Sequence, residues 1–251
     1  MNAQENMQAD HQPLIVITGA AKRLGAQIAR YLSQQGACVL ALHYHNSADQ
    51  ALSLSQELSV PHALFQADLQ DEAQCTALIS RVQQHFARPV TALINNAALF
   101  ERDEWDSKDA QLWAQHFALN LRAPFLLSQA LALQSNLAQG TIINIIDQRV
   151  LNTTPHFLSY SLSKSALWTL TQQLALALAP KIRVSAIAPG FTLAAPKQSQ
   201  EHFLERALRQ PLAQPVESQD ICRAVDFLLK SSSVTGTIIP VDAGQHLGWK
   251  N

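Results

Sequence analysis

The chain has 251 residues, of which 47% are hydrophobic and 15% charged, a composition that predicts a soluble globular protein with a large core. Its formal net charge of −1 argues against a nucleic-acid groove or a polybasic membrane patch, because both need an excess of Lys and Arg. No apolar run approaches the roughly 20 residues that span a bilayer, and the polar segment 1–12 predicts a flexible tail. Three scattered cysteines predict reduced thiols, no metal site and a cytoplasmic location.

Short apolar runs rich in β-branched residues alternate with longer helical patterns, which is typical of a parallel sheet with crossover helices. Strands are predicted at residues 14–18, 38–42, 62–66, 90–95, 141–146, 182–187 and 237–241. Helices are predicted from residue 24 to a stop at Gly36, and at 48–58 (capped by Ser47), 71–86, 109–120, 121–134, 158–178, 201–208 and 220–229. The predicted fold is therefore a single α/β domain over residues 13–251, a Rossmann-type, doubly wound parallel sheet of about seven strands. The irregular region near residues 190–210 follows a strand end and predicts a mobile substrate loop.

A glycine-containing turn joins the first strand to the first helix. It runs from Thr18 through Gly19 to Gly25, and this order of strand, turn and helix is where a dinucleotide pyrophosphate binds. An ordinary strand-to-helix turn would look similar, so the turn alone does not decide the matter.

The end of the second strand indicates which nicotinamide cofactor is bound. An acidic residue there would hold a ribose 2′-hydroxyl, but this chain has His43-Tyr44-His45-Asn46-Ser47. Polar donors near Lys22 favour a 2′-phosphate and hence NADPH, although His43 and His45 could instead be surface residues of a turn. Asp68, after the third strand, could bind the adenine amino group or cap the next helix.

A tyrosine and a lysine lie one helical turn apart in the sixth predicted helix. Because Tyr160 and Lys164 share a helix face, the ammonium is expected to lower the pKa of the phenol and make it an acid-base catalyst. Asp147 ends the fifth strand, where catalytic groups of parallel sheets gather. Asn120 lies at a predicted helix break. It could be a helix cap, a site residue or both.

Taken together, these motifs resemble the short-chain dehydrogenase/reductase family over residues 14–247. The matching motifs, in order, are Thr18–Gly25, Asn95-Asn96-Ala97, Asn120, Tyr160 with Lys164, Pro189-Gly190, and Val241-Asp242-Ala243-Gly244. Within that family, three features resemble the pteridine reductases. Arg23 replaces the middle glycine of the turn, His43-Tyr44-His45 and Ser47 follow the second strand, and Asp147 replaces the usual serine. The aromatic residue Phe100 after the Asn-Asn-Ala motif also resembles this subgroup, although Asn46 stands where many members have arginine.

The resemblance implies NADPH-dependent reduction of a dihydropterin or dihydrofolate by a homotetramer that binds neither nucleic acid nor membrane. The implied catalytic residues are Asp147, Tyr160, Lys164 and Asn120, with Asp147 and Tyr160 as a coupled acid pair and Asn120 holding the helix and a relay water. The implied cofactor contacts are Gly19, Lys22, Arg23, Leu24, Gly25, His45, Asn46, Ser47, Asp68, Leu69, Asn96, Ala97, Tyr160, Lys164, Pro189 and Gly190. The implied substrate contacts are Arg23, Phe100, Asp147 and Tyr160, although Phe100 could also be a core aromatic.

Two other functions remain open from the sequence. One is a carbonyl reductase, such as a 3-oxoacyl-thioester reductase, which Asp147 disfavours because a carboxylate beside a developing alkoxide is repelled. The other is a regulator that binds NADP without turnover, although such a protein would not need Asn120, Tyr160 and Lys164 together.

Overall fold

The computed structural model describes residues 12–194 and 199–248. The strands are β1 (Leu14–Ile17), β2 (Val39–Tyr44), β3 (His62–Gln66), β4 (Ala92–Asn95), β5 (Gly140–Ile145), β6 (Ile182–Pro189) and β7 (Ile238–Val241). The α-helices are α1 (Arg23–Gln35), α2 (Ala48–Glu57), α3 (Glu72–Phe86), α4 (Ala110–Phe117), α5 (Ala123–Ala132), α6 (Leu158–Ala177), α7 (Gln200–Leu208) and α8 (Ser218–Lys230). The predicted tail 1–12, apart from Gln12, and residues 195–198 of the predicted substrate loop lie outside the described residues.

All seven strands are parallel and follow the order β3-β2-β1-β4-β5-β6-β7, so the predicted doubly wound sheet is confirmed. The chain moves outward from β1 to β3 and then returns to pair β4 with the other side of β1. This reversal opens a crevice at the carboxyl ends of β1 and β4, which is where open α/β sheets bind ligands.

The unbroken apolar sequence of β1 is explained by burial on both faces of the sheet. Ile15 and Ile17 point into one core layer with α1 and α8, whereas Leu14 and Val16 point into the other with α3 and α5. Successive side chains of a strand alternate between faces, so a strand covered on both sides reads as continuously apolar. Among the described residues, no helix is both long and apolar enough to cross a membrane.

Two local predictions need correction. The break predicted at Asn120 is a five-residue π-helical segment, Ala118–Arg122, that joins α4 to α5 without interrupting the helical path. Ser47 precedes α2 as predicted, but its side chain makes no capping hydrogen bond. The stop at Gly36 is confirmed, because its φ of 74° is the left-handed conformation that ends helices.

Candidate active site

A cleft of about 1300 Å³ follows the carboxyl ends of the strands from β3 to β6. Every residue predicted for the cofactor, the substrate or catalysis lies on its wall, except Asn120, which lies behind it. The cleft therefore joins the glycine turn at one end to Asp147, Tyr160 and Phe100 further along.

The turn after β1 can hold only glycine at two of its positions. Gly19 has a φ of +63°, and a Cβ on Gly25 would lie 2.2 Å from the Gly19 carbonyl oxygen. Lys22 occupies the N-cap of α1 without a side-chain capping bond, so the first N–H groups of the helix are open to an anion. Arg23 begins the helix with a φ of +53°, a left-handed conformation that favours glycine.

His43 is a buried brace for this turn, with 3% of its surface exposed, and not the surface residue that the sequence allowed. Its Nδ1 accepts from the Gly19 N–H at 3.1 Å, and its Nε2 donates to the Ala67 carbonyl at 3.0 Å. Burial lowers the pKa of His43 to about 4, so the ring is neutral at pH 7, as this tautomer requires. Both ring nitrogens are used, and His43 is therefore not a donor for a ribose phosphate.

The polar residues at the ends of β2 and β3 face the same part of the cleft. His45 Nε2 lies 3.8 Å from Oδ2 of Asp68. The alternative role of Asp68 as a helix cap is wrong, because Asp71 caps α3 by accepting from the Gln74 N–H at 3.0 Å.

Tyr160 and Asp147, which lie 13 positions apart in the sequence, form a hydrogen-bonded pair. The Tyr160 hydroxyl donates to Oδ2 of Asp147 at 3.0 Å. Arg149 donates twice to the same carboxylate, from Nη1 to Oδ2 at 2.8 Å and from its backbone N–H to Oδ1 at 2.9 Å. Asp147 thus accepts three hydrogen bonds and is held in one orientation.

The expectation that Lys164 lowers the pKa of Tyr160 is wrong for this structure. Burial, together with the charge of Asp147, raises the pKa of Tyr160 well above its ordinary value, and the opposing effect of Arg149 does not overcome it. Lys164 Nζ instead donates to the Ile145 carbonyl at 2.7 Å. Burial lowers the pKa of Lys164 to about 8. The phenol is therefore a protonated donor.

Asn120 braces the site from the interior of the π-helical segment. Its Oδ1 accepts from the Leu99 N–H at 2.9 Å, and its Nδ2 donates to the Leu99 carbonyl at 3.0 Å and to Ser163 Oγ at 3.1 Å. The amide thereby fixes the segment that leads into Phe100 against α6.

Phe100 lines the cleft with 37% of its surface exposed, so the alternative of a core aromatic is wrong. Its ring is stacked on Phe157 with centroids 4.6 Å apart and meets the edge of Tyr160 at 4.7 Å. The Arg149 guanidinium carbon lies 5.4 Å and 5.1 Å from the centroids of the stacked pair. These rings form an aromatic wall beside the pair of Tyr160 and Asp147.

Arg23 contacts the loop that follows β6. Its Nη2 donates to the carbonyls of Ala194 at 2.9 Å and of Leu193 at 3.4 Å. The residue that replaces a glycine of the turn therefore connects the turn to the start of the predicted substrate loop.

Comparison with known proteins decides the family. The family model of the short chain dehydrogenases matches residues 13–204. The chain belongs to this family. Like its relatives, it is an oxidoreductase by family.

Several relatives of this short-chain dehydrogenase have names that refer to pterins or folates. It is 29% identical over 246 residues to dihydromonapterin reductase of Citrobacter koseri, covering 94% of this chain and 98% of the relative. It is 31% identical over 284 residues to pteridine reductase 1 of Leishmania tarentolae, covering 94% and 96%. The crystal structure of FolM alternative dihydrofolate reductase 1 from Brucella suis in complex with NADP is 37% identical, with a TM-score of 0.91 and coverage of 97% and 98%.

The structural roles of three residues of the site were not found from the sequence. His43 carried a signal, since it is a polar residue within an otherwise apolar buried strand. Arg149 and Phe157 carried none, because their roles depend on the short 3₁₀ turn Gln148–Val150 and on the left-handed backbone of Phe157, whose φ is 59°.

Proposed function

We propose that this short-chain dehydrogenase reduces dihydropterins, namely dihydrobiopterin, dihydromonapterin or dihydrofolate, to their tetrahydro forms with NADPH. The observation that carries the proposal is the hydrogen bond between Tyr160 and Asp147, 3.0 Å long, beside the partly exposed ring of Phe100. A carbon–nitrogen double bond needs a proton at its nitrogen, and an acid pair supplies one. The names of the relatives support the same substrate class.

The residues of the cleft fit NADPH. The glycine turn and the uncapped start of α1 suit the pyrophosphate, and the end of β2 carries His45, Asn46 and Ser47 where an NAD enzyme would have a carboxylate. The Brucella suis structure holds NADP in a protein of the same fold. When bound, the reduced nicotinamide supplies the hydride.

The remaining cofactor contacts follow the strand ends. We propose that Asp68 and Leu69 face the adenine, that Asn96 and Ala97 line the middle of the cofactor, and that Pro189 and Gly190 face the nicotinamide. All of them lie on the wall of the cleft. Gly190 leaves no room for a side chain, since a Cβ would lie 2.6 Å from the Cα of Asp242.

For the proton, we propose that Tyr160 and Asp147 act as one donor pair. The raised pKa of Tyr160 keeps its proton in place at pH 7, and Arg149 keeps Asp147 directed at the hydroxyl. The side chain of Asp147 is 13% exposed to the cleft, which allows the pair to recover a proton from solvent. Lys164 binds the nicotinamide ribose with the N–H groups that Ile145 leaves free.

Two further residues orient the substrate and the pair. Phe100, which lines the cleft with 37% of its surface exposed, offers an aromatic surface for stacking of the flat pterin ring. Asn120 is a positioning residue rather than a water relay, since Leu99 and Ser163 engage its amide.

The homotetramer and the cytoplasmic location are also proposals. An apolar groove of about 400 Å³ lies on α4, the π-helical segment, α5 and α6, lined by Phe117, Ala118, Leu121, Arg122, Phe125 and Leu170. We infer that a second copy covers it, and light scattering of the protein and of F125E would test this. Cys38, Cys75 and Cys222 are buried free thiols, which suits a reducing compartment.

The proposed function is tested by following NADPH oxidation with dihydrobiopterin, dihydromonapterin, dihydrofolate and acetoacetyl-CoA in parallel. We expect turnover of at least one dihydropterin well above that of the thioester. Turnover of the thioester alone would assign the chain to the carbonyl reductases, and 32% identity over 238 residues to carbonyl reductase [NADPH] 2 of Sus scrofa makes this the relevant rival. Tight NADPH binding without any turnover would instead support the regulator.

A further inference from the structure

Positive charge exceeds negative charge along the cleft. The Lys and Arg residues on its wall are Lys22, Arg23, Arg102, Arg149, Lys164 and Arg206, against the carboxylates of Asp68, Glu101 and Asp147. Most of these basic groups already have a use, at the cofactor, in the substrate loop or in an ion pair such as Arg102 with Glu104. Arg206 has no such use.

Arg206 is held in place although it is exposed. Its guanidinium carbon lies 5.0 Å from the centroid of the Phe191 ring, a cation–π distance. Phe203, three residues earlier in α7, is buried and contacts the same ring at 6.1 Å between centroids. Stacking on Phe191 thus directs Arg206 toward the cleft that both residues line.

No carboxylate of the described residues pairs with Arg206. The adjacent Glu205 is bound to Arg209 and lies 3.8 Å from His202. The charge of Glu101 acts on a different group, the buried His116. Burial lowers the pKa of His116, and the charges of Asp103 and Glu101 only partly oppose this effect.

Arg149 and Arg206 line the same cleft. Burial, and then the positive charges of Arg149 and Arg209, lower the pKa of Arg206. Arg149 uses Nη1 for Asp147, which leaves N–H groups of its planar fork for a ligand. Two guanidinium groups that repel each other in this way are stabilised by an anion between them.

We propose that Arg149 and Arg206 form an anion subsite that recognises a negatively charged group on the side chain of the pterin substrate. The subsite leads outward from Asp147, since the Arg149 side chain is 15% exposed and Arg206 is an exposed residue. This inference rests on the proposed function and narrows its substrate class. Because the Arg149 guanidinium carbon lies 5.4 Å from the centroid of Phe100, a flat ring stacked on Phe100 would lie beside the subsite. Pterins with a carboxylate or phosphate on that side chain are therefore preferred over pterins with a neutral polyol.

The test compares substrates that differ in this charge. Steady-state kinetics are measured with dihydrofolate, dihydroneopterin monophosphate, dihydroneopterin and dihydrobiopterin, for the wild type, R206Q and the control R209Q. Arg209 is the control because it directly follows the same helix, as its C-cap residue, but is not part of the cleft wall. We expect R206Q to lower kcat/KM for an anionic substrate, relative to the neutral pterins, by about five-fold or more, mainly through KM. R209Q leaves this ratio within two-fold of wild type, and added salt reduces the wild-type ratio.

The substrate whose kcat/KM falls in R206Q identifies the anion that the subsite binds. A fall for dihydrofolate alone assigns the subsite to a carboxylate, and a fall for the monophosphate alone assigns it to a phosphate. An unchanged ratio in R206Q for both anionic substrates overturns the subsite. If the wild type reduces no pterin, the proposed function fails, and the binding of dihydrofolate and dihydrobiopterin in the presence of NADP⁺, followed by tryptophan fluorescence, decides the subsite separately. Equal loss of affinity for both ligands in R206Q would then contradict it.

Discussion

Oδ2 of Asp147 accepts hydrogen bonds from the Tyr160 hydroxyl at 3.0 Å and from Arg149 Nη1 at 2.8 Å. The carboxylate therefore lies between a buried phenol, which keeps its proton, and a cation that fixes its orientation. A serine at position 147 would offer Tyr160 only a neutral hydroxyl. It would not supply a carboxylate that can take up and release a proton beside the phenol. This difference links one substitution in the family pattern to the chemistry that we propose.

The buried His43 is expected to make stability depend on pH. Burial lowers its pKa from 6.5 to about 4, so between these values the unfolded chain binds more protons and stability falls as the pH falls. The full shift corresponds to about 3 kcal/mol of unfolding free energy lost by pH 4. H43N keeps an acceptor for the Gly19 N–H but does not titrate. Urea unfolding at pH 4.5, 5.5 and 7 should show a shallower loss of stability in H43N, and equal slopes would refute the assignment.

Arg23 is expected to combine backbone strain with a binding role. Its φ of +53° costs of order 1 kcal/mol for a residue with a Cβ, and glycine avoids this cost. R23G should therefore unfold at higher urea concentration than R23A, with a difference of about 1 kcal/mol in unfolding free energy. Both variants lose the bond to the Ala194 carbonyl and should raise KM for the dihydropterin. A stability of R23A equal to or above that of R23G would be evidence against strain.

Lys164 is expected to limit activity at alkaline pH. Because burial lowers its pKa to about 8, the free enzyme loses this charge as the pH rises through 8 rather than through its ordinary value. The pH profile of kcat/KM for NADPH, which reports on the free enzyme, should fall above about pH 8. K164R stays charged and should be slower but lack this fall. If kcat/KM of K164R falls above about pH 8 as it does in the wild type, a group other than Lys164 causes the fall.

The sheet was predictable because its signals are local. The apolar runs and the Gly36 stop predicted most strands and helices to within two residues. The glycine turn after the first strand, predicted to bind a pyrophosphate, lies on the wall of the cleft. The π-helical segment at Asn120 was not predictable, since it depends on bonds from Asn120 to Leu99 and Ser163, far away in sequence.

The electrostatics of the site were less predictable than its residues. The spacing of Tyr160 and Lys164 correctly placed them on one helix face, but it carried no information on burial. Burial and the charge of Asp147 raise the pKa of the Tyr160 phenol. Lys164 donates a hydrogen bond to the Ile145 carbonyl instead of lowering that pKa. His43 shows the same limit, because its residue type suggested a phosphate donor whereas its neighbours make it a brace.

The measurement that tests the central proposal most directly is the kcat/KM for dihydropterin reduction by wild type, D147N and D147S. D147N keeps the shape of the side chain and D147S restores the usual family residue, but neither can share a proton with Tyr160. NADPH affinity, measured by fluorescence titration, controls for misfolding. We predict that both variants bind NADPH yet lose about 100-fold or more in kcat/KM. Wild-type turnover of the dihydropterin in D147S would contradict it.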